Sequence, residues 1–223
     1  MSRTALDQRQ LPKYTKGQER FNEVSHIVGG AMGVVALVLC IVKAALDNNT
    51  AGVLTGIVYG LSMIALYTMS SIYHGLVPGR AKKVMQVLDH CTIFILIAGT
   101  YTPIAVCGFV PYDPTLGWGI LIFEWSVSAI AVVFTAIDLH KYAALSMICM
   151  LLTGWAIIPF YQTVINSIGM NGFVLILAGG IVYTLGAILY GIGSKKSIMH
   201  CIFHVFVLVG SILQLLAILL YVL

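Results

Sequence analysis

The chain has 223 residues, of which 60% are hydrophobic and only 9% are charged, and its formal net charge is +4. Soluble domains average about 25% charged residues. The mean hydropathy is +0.99, and the core of a soluble protein of this size could not bury so much apolar surface. The composition excludes an ordinary soluble enzyme and a disordered chain. Because the twelve lysines and arginines are dispersed, it also argues against nucleic acid as a partner.

Apolar runs long enough to cross a membrane dominate the chain after residue 25, since a membrane helix needs about 20 such residues. We predict an all-α integral membrane bundle of seven transmembrane helices over residues 26–223, preceded by a polar interfacial segment, residues 1–25. No cleavable signal peptide is expected, because the first apolar run begins too late and is too long. The seven runs lie at about 26–46, 51–74, 84–109, 116–137, 142–161, 172–193 and 198–222.

The basic residues predict the orientation of this bundle. Eleven of the twelve lysines and arginines lie on one side: five in residues 1–25, three between runs 2 and 3, one between runs 4 and 5, and two between runs 6 and 7. Only Lys43 lies on the other side. Since basic loops stay in the cytoplasm, we expect a cytoplasmic N-terminus, an external C-terminus and a multi-pass protein of the cell (plasma) membrane.

Ionisable residues inside membrane helices are costly and often functional, and several lie here at one depth. They are His26 at the start of run 1, His74 at the end of run 2, Asp89 and His90 early in run 3, and His200 and His204 early in run 7. With the predicted orientation, all six lie towards the cytoplasmic side of the bundle.

The spacing of these residues is suited to a metal ion. His200 and His204 are four residues apart and therefore share one helix face, while His74 can supply a third imidazole from another helix. Three neutral histidines leave Zn²⁺ with an open position, as in catalytic sites. Asp89 could hold the bound water, and Ser70, one turn before His74, could bind Asp89, a ligand or a substrate oxygen.

Another interpretation of these histidines needs no metal, because histidines near helix ends can lie among lipid headgroups. A single His-x-x-x-His pair is weak support for a metal site, and the segment His200–His204 lacks the glutamate of the zinc-protease motif. His26, His90, Glu23 and Glu124 are left without an assigned role.

The sequence resembles the hemolysin III family, which is grouped with the progestin and adipoQ receptors and, more distantly, with alkaline ceramidases. The matching segments are Asn22–His26, Ser70–His74, Asp89–Cys91, Ala98–Pro103 and His200–His204. They occur in the same order as in the family, and the resemblance covers nearly the whole chain. It implies seven helices with the N-terminus inside.

The resemblance also implies a role for individual residues. His74, His200 and His204 match the three zinc ligands of the related receptors and ceramidases. Asp89 matches the residue that positions the zinc-bound water, and Ser70 matches the serine one turn before the first ligand. Asp89 and Ser70 are therefore the predicted catalytic residues, and Zn²⁺ is the predicted cofactor.

We expect a zinc-dependent hydrolase that acts on a lipid amide or ester at the cytoplasmic side, with a membrane lipid or fatty-acyl ligand as its partner. An alternative is a non-enzymatic sensor or regulator of membrane lipid homeostasis with a structural zinc. A pore-forming cytolysin is disfavoured, because the chain has almost no soluble surface. A channel is disfavoured because it needs a polar path across the membrane, and the outer half of the bundle is nearly free of charged residues.

Overall fold

The computed structural model describes residues 4–193 and 196–223, and within these ranges every regular element is helical. The all-α class predicted from the sequence is confirmed. The helices are α1 Lys16–Leu46, α2 Thr50–Gly75, α3 Arg80–Pro103, α4 Pro114–Ile137, α5 Ala143–Gly154, α6 Tyr161–Gly193 and α7 Ile198–Ala217. Short 3₁₀ turns occur at Leu6–Gln8 and Ile158–Phe160, and π-helical turns at Ile104–Phe109 and Ile218–Val222 extend α3 and α7.

The first helix begins at Lys16, well before the apolar run predicted at 26–46. A capping box starts it: the Thr15 hydroxyl accepts from the backbone N–H of Gln18, and the Gln18 side chain accepts from the backbone N–H of Thr15. This pairing satisfies donors that a helix N-terminus otherwise leaves open. Part of the segment expected to be interfacial is therefore helical and continuous with the membrane helix.

Within the described residues, six helices are long and apolar enough to cross a membrane. The chain is therefore a multi-pass membrane protein. The fifth of these candidate spans is a single stretch of 51 residues, Ala143–Gly193, which covers both runs predicted at 142–161 and 172–193. Inside it, Gly169 has a non-helical backbone, with φ 76° and ψ 166°. The count of seven spans and the orientation of the termini remain predictions.

The bundle has an apolar exterior and polar groups in its interior. Val28, Leu54 and Ile122 are each more than half exposed, although large aliphatic side chains are rarely exposed together on a soluble protein. By contrast, Asn22, Ser70 and the histidine side chains described below are buried between helices. A lipid environment covers the exposed aliphatic side chains without cost. In the same environment the polar side chains need partners inside the bundle.

Close contact between α1 and α2 brings the polar residues of α1 towards the centre of the bundle. A Cβ atom added at Gly29 would lie 2.3 Å from the Tyr67 ring, so only glycine allows this approach. The Tyr67 ring packs edge-on against His26, with centroids 5.0 Å apart, and its hydroxyl donates to Ser211 Oγ on α7 over 2.7 Å. Helices α1, α2 and α7 are thereby held together around the histidines.

Residues 4–14 form an N-terminal strap that lies across one end of the bundle. The Arg9 guanidinium donates to the carbonyl of Ile137 at the end of α4 over 2.8 Å, and the backbone N–H of Thr4 donates to the Asp138 carboxylate over 2.9 Å. The hydrogen bond from Thr4, aided by the positive charge of Arg9, lowers the pKa of Asp138. The strap is therefore attached to α4 on its way to α1.

Candidate metal centre

Three histidines from two helices meet inside the end of the bundle that carries the strap. His74 lies in the last turn of α2, and His200 and His204 lie in the first two turns of α7. All three are buried, and their ligand atoms lie within 4.8 Å of one another. The structure thus brings together the three side chains that the sequence analysis selected.

The distances between these imidazoles are suited to a metal ion. Nε2 of His200 lies 3.4 Å from Nε2 of His74 and 3.1 Å from Nε2 of His204. Two nitrogens bound to one tetrahedral ion at about 2.0–2.1 Å lie roughly 3.3 Å apart. The cluster could therefore hold a metal ion, and an all-imidazole set is suited to zinc, copper, iron or nickel.

A carboxylate and a lysine orient the first histidine. Nδ1 of His74 lies 2.7 Å from a carboxylate oxygen of Glu19, and the other oxygen accepts from Nζ of Lys82 over 2.7 Å. Lys82 is buried and also donates to the carbonyl of Leu76. A carboxylate on Nδ1 places the proton there and leaves Nε2 free to bind a metal. We call Glu19, Lys82 and His74 the ion-pair relay.

Glu19 and Lys82 were not identified in the sequence analysis. The signal for Glu19 was the pattern Thr15 to Gln18, which is a capping-box spacing and would have extended the helix back to residue 16. On that helix, Glu19, Asn22 and His26 follow one another at spacings of three and four and share a face. No local signal was available for Lys82, whose partner is 63 residues away.

His26 contacts the third histidine directly. Its ring stacks on that of His204, with centroids 3.8 Å apart and an interplanar angle of 28°. Within the described residues, the ring nitrogens of His26 and the side-chain amide of Asn22 are buried without a hydrogen-bond partner. They form a buried polar cluster beside His204, where an ordered water could complete the hydrogen bonds.

Asp89 and Ser70 lie beside the histidines and line the same cavity. Their side chains interact with each other across α2 and α3. Asp89 is 14% exposed, and His90 lies 3.8 Å from it, beyond hydrogen-bonding distance. The structure therefore places both predicted catalytic residues next to the cluster, on the side that opens into the cavity.

This cavity has a volume of about 140 Å³ and extends away from the histidines between α3, α5, α6 and α7. It reaches from His200 to Gln214 along α7, a distance of about 21 Å at 1.5 Å per residue. Its wall is mainly apolar, with Leu96, Ile97 and Val207 among the lining residues. The cavity is therefore long and mainly apolar.

The strap covers the histidines from the other direction. The ring of Tyr14 stacks on His200, with centroids 5.0 Å apart and an interplanar angle of 25°, and lies 5.8 Å from the His74 ring. Burial, together with the nearby Tyr190, Glu19 and Asp89, raises the pKa of the Tyr14 hydroxyl. A neutral aromatic ring therefore separates the histidines from this end of the bundle.

Comparison with known proteins identifies the family of this chain. Residues 14–215 match the model of the family described as "Haemolysin-III related". The chain belongs to this family. Its histidine cluster, Asp89, Ser70 and Tyr14 all lie within the matched range, so the resemblance drawn from the sequence motifs is confirmed.

Among its relatives are two bacterial proteins of similar length. The "Hemolysin-3" of Bacillus cereus is 33% identical over 206 residues, which are 92% of each chain. The "Hemolysin-3 homolog" of Bacillus subtilis (strain 168) is 33% identical over 208 residues, 93% of this chain and 96% of the relative.

A more distant relative is the human "Monocyte to macrophage differentiation factor". It is 22% identical over 162 residues, which are 69% of this chain and 64% of the human protein. No solved structure matches this chain. The comparisons and the geometry together describe a multi-pass membrane protein of the hemolysin III family with a buried histidine triad that could bind a metal ion.

Proposed function

We propose that this protein is a zinc-dependent hydrolase that cleaves a lipid amide or ester within the membrane. The observation that carries the proposal is the arrangement of one site. Three imidazoles lie at metal-binding distances, and two of them, His200 and His204, line a mainly apolar cavity together with Asp89. A metal, a proton acceptor and a hydrocarbon pocket are the three parts that such a reaction needs.

In the proposed mechanism, bound zinc supplies a Lewis acid that polarises a carbonyl group and makes water more acidic. Asp89 accepts a proton from the attacking water, whose oxygen forms a bond to the carbonyl carbon. Asp89 then gives that proton to the nitrogen or oxygen that leaves as its bond to carbon breaks. Ser70 donates its hydroxyl proton to the Asp89 carboxylate and so keeps this acceptor in place. The apolar cavity binds the acyl chain and excludes bulk water.

We further propose that the bundle crosses the plasma membrane seven times, with the N-terminus in the cytoplasm. The break at Gly169 divides the 51-residue stretch into residues 143–168, which contain α5 and the turns after it, and residues 170–193. Each part is long enough to cross. The distribution of basic residues, eleven on one side against Lys43 on the other, supports the orientation. The metal site then faces the cytoplasmic leaflet.

The first experiment measures the metal content of detergent-purified protein by mass spectrometry. We expect about one zinc per chain in the wild type and little in the double variant His200→Ala/His204→Ala. His140→Ala is the control, because His140 lies in the exposed loop after α4. A well-folded wild type that takes up no zinc, even when zinc is supplied, would rule out the mechanism.

The second experiment tests the role of Asp89 with a lipid-hydrolysis screen. Asp89→Ala should keep its zinc and lose turnover, because the three histidines are intact and the proton acceptor is gone. Equal turnover in this variant would exclude Asp89 as the acceptor.

A second candidate is a lipid sensor or regulator with a structural zinc. It is favoured by the position of the histidines, which link the end of α2 to the start of α7, and by Tyr14, which covers them. On this proposal, removal of zinc lowers the melting temperature strongly, and neither the wild type nor Asp89→Ala hydrolyses lipid. A cytolysin, the activity that the relatives' names suggest, is disfavoured by the apolar exterior.

A further inference from the structure

A hydrogen-bonded chain of three groups runs along the cavity wall next to Asp89. Nδ1 of His90 lies 2.8 Å from the backbone carbonyl of Gln86, and Nε2 of His90 lies 2.9 Å from the hydroxyl of Tyr190. His90 and Tyr190 both line the cavity. Neither residue belongs to the histidine cluster, and the mechanism above does not use them.

The chemistry of these groups determines which way each hydrogen bond runs. A backbone carbonyl can only accept, so Nδ1 of His90 carries the proton. In a neutral imidazole the other nitrogen is then an acceptor, and the hydroxyl of Tyr190 must donate to Nε2. The nearest oxygen of Asp89 is 3.8 Å from Nδ1, beyond hydrogen-bonding distance, so the Nδ1 proton is directed at the Gln86 carbonyl and Nε2 takes the acceptor role.

Because the hydroxyl of Tyr190 donates to His90, Tyr190 cannot donate a hydrogen bond to a ligand. Its only hydrogen is held by His90, so the oxygen can act towards the cavity only as an acceptor. The ring is fixed in place, since it packs 5.4 Å from Phe203 and 5.7 Å from His200. The acceptor is thus held at the end of the cavity where the reacting carbonyl would lie.

Two other hydroxyls of the cavity wall are already engaged. Thr184 donates to the carbonyl of Gly180 and accepts from Nε1 of Trp155. The hydroxyl of Tyr183 is bonded to Ser211. They differ in this respect from Tyr190, which lines the cavity with Asp89 and His200 and whose hydroxyl proton is directed at His90.

We propose that Tyr190, held by His90, is a binding subsite for a hydrogen-bond donor on the ligand, such as the N–H of a secondary lipid amide. An ester places an oxygen at that position, and two acceptors would then face each other. The subsite therefore selects amides over esters of the same chain. This inference rests on the proposed function for the reaction that the ligand undergoes. The predicted difference in ligand affinity can nevertheless be measured without any turnover.

The experiment compares N-ethylpalmitamide with ethyl palmitate, which differ only in N–H against O at the scissile bond. Affinities are measured with the zinc-loaded full-length protein in detergent, using the Asp89→Asn variant if the wild type cleaves either ligand. We expect the amide to bind about three- to tenfold more tightly, the usual size of one neutral hydrogen bond. Tyr190→Phe should abolish or reverse this preference, because the ring is kept and the acceptor is removed.

His90→Ala provides a second test if Tyr190→Phe folds poorly. Without His90 the hydroxyl of Tyr190 is free to donate, so the ester should gain relative to the amide. Tyr183→Phe is the matched control, since the hydroxyl it removes is already bonded to Ser211, and the amide-to-ester ratio should not change.

Equal binding of the two ligands by the wild type would overturn the inference, and so would a preference that persists in both Tyr190→Phe and His90→Ala. Failure of the proposed function looks different. A protein that prefers the amide but cleaves neither ligand has the subsite without the hydrolase activity, whereas one that cleaves both ligands without preference has the activity without the subsite.

Discussion

Two acidic side chains of the bundle, Glu19 on α1 and Glu124 on α4, have opposite surroundings. In the ion-pair relay, both carboxylate oxygens of Glu19 are engaged, one by His74 and the other by Lys82. On α4, Glu124 is completely buried, and within the described residues neither of its oxygens has a hydrogen-bond partner. The hydroxyl of Ser128, one turn further along, is unpartnered in the same way.

The difference shows that burial of an acid does not by itself indicate a site. A paired carboxylate can stay ionised inside the bundle and orient a histidine. An unpaired one is stable there only as the neutral acid, because an isolated buried charge is far too costly. Glu19 therefore acts on the chemistry of the cluster, and Glu124 is a tolerated polar residue of the α3–α4 interface.

The largest expected effect comes from breaking the ion-pair relay. Glu19→Ala leaves Lys82 buried without its anionic partner and His74 without an acceptor, so we expect a loss of about 3 kcal/mol in the free energy of unfolding and a 10- to 100-fold weaker affinity for zinc. Denaturant unfolding in detergent and zinc titration measure the two effects. Glu23→Ala, one turn further along α1, is the control, and an equal loss of zinc affinity there would remove the special role of Glu19.

Opening the strap should have a smaller effect. Tyr14→Ala removes the ring that stacks on His200, and we expect a chelator to extract zinc several-fold faster, because the covering contact is gone while the ligands remain. Tyr14→Phe keeps the ring and should behave as the wild type. The rate of zinc transfer to a coloured chelator is the measurement, and unchanged rates in both variants would show that the strap does not limit access.

The attachment of the strap to α4 should depend on pH. The pKa of Asp138 is lower in the folded protein than its ordinary value, so the carboxylate contributes stability above the ordinary pKa, near 3.9, and loses it as the pH falls. Cleavage of the strap by a protease active in acid should therefore accelerate below about pH 4. Asp138→Asn lacks the titrating carboxylate, so the ratio of the wild-type to the variant cleavage rate should rise below this pH. A ratio that stays constant would contradict the assignment.

The smallest effect on stability is expected at Glu124. Glu124→Gln replaces a neutral acid by a neutral amide of similar shape, so the free energy of unfolding should change by no more than about 1 kcal/mol and the zinc content should not change. Thermal unfolding and metal analysis, run beside Glu19→Gln, give the direct contrast. Loss of zinc on changing Glu124 would show that the two regions are coupled.

Much of the histidine site was predictable, because its members carry local signals. His200 and His204 are one turn apart, and Ser70 and His74 are one turn apart, so helical periodicity alone places each pair on one face. The ion-pair relay was not predicted, because Lys82 and Glu19 are remote in sequence and Glu19 was assigned to the interfacial segment before the first membrane helix. The helix bounds between Ala143 and Gly193 also differ from the ends of the predicted runs, because α5 ends at Gly154 and a further break lies at Gly169. Backbone conformation decides these positions, and hydropathy does not indicate them.

The sequence by itself determined that this protein is an all-helical membrane protein of the hemolysin III family, with histidines collected at one depth. The helical membrane class and the common depth follow from composition, run length and local spacing, each of which is read along a single helix. The family follows from the resemblance of several short motifs in order. Only the tertiary structure decided which nitrogens face one another, which carboxylate holds His74, and where Tyr14 and Tyr190 lie. These depend on how α1, α2, α3, α6 and α7 pack, and such contacts join residues that are far apart in the chain.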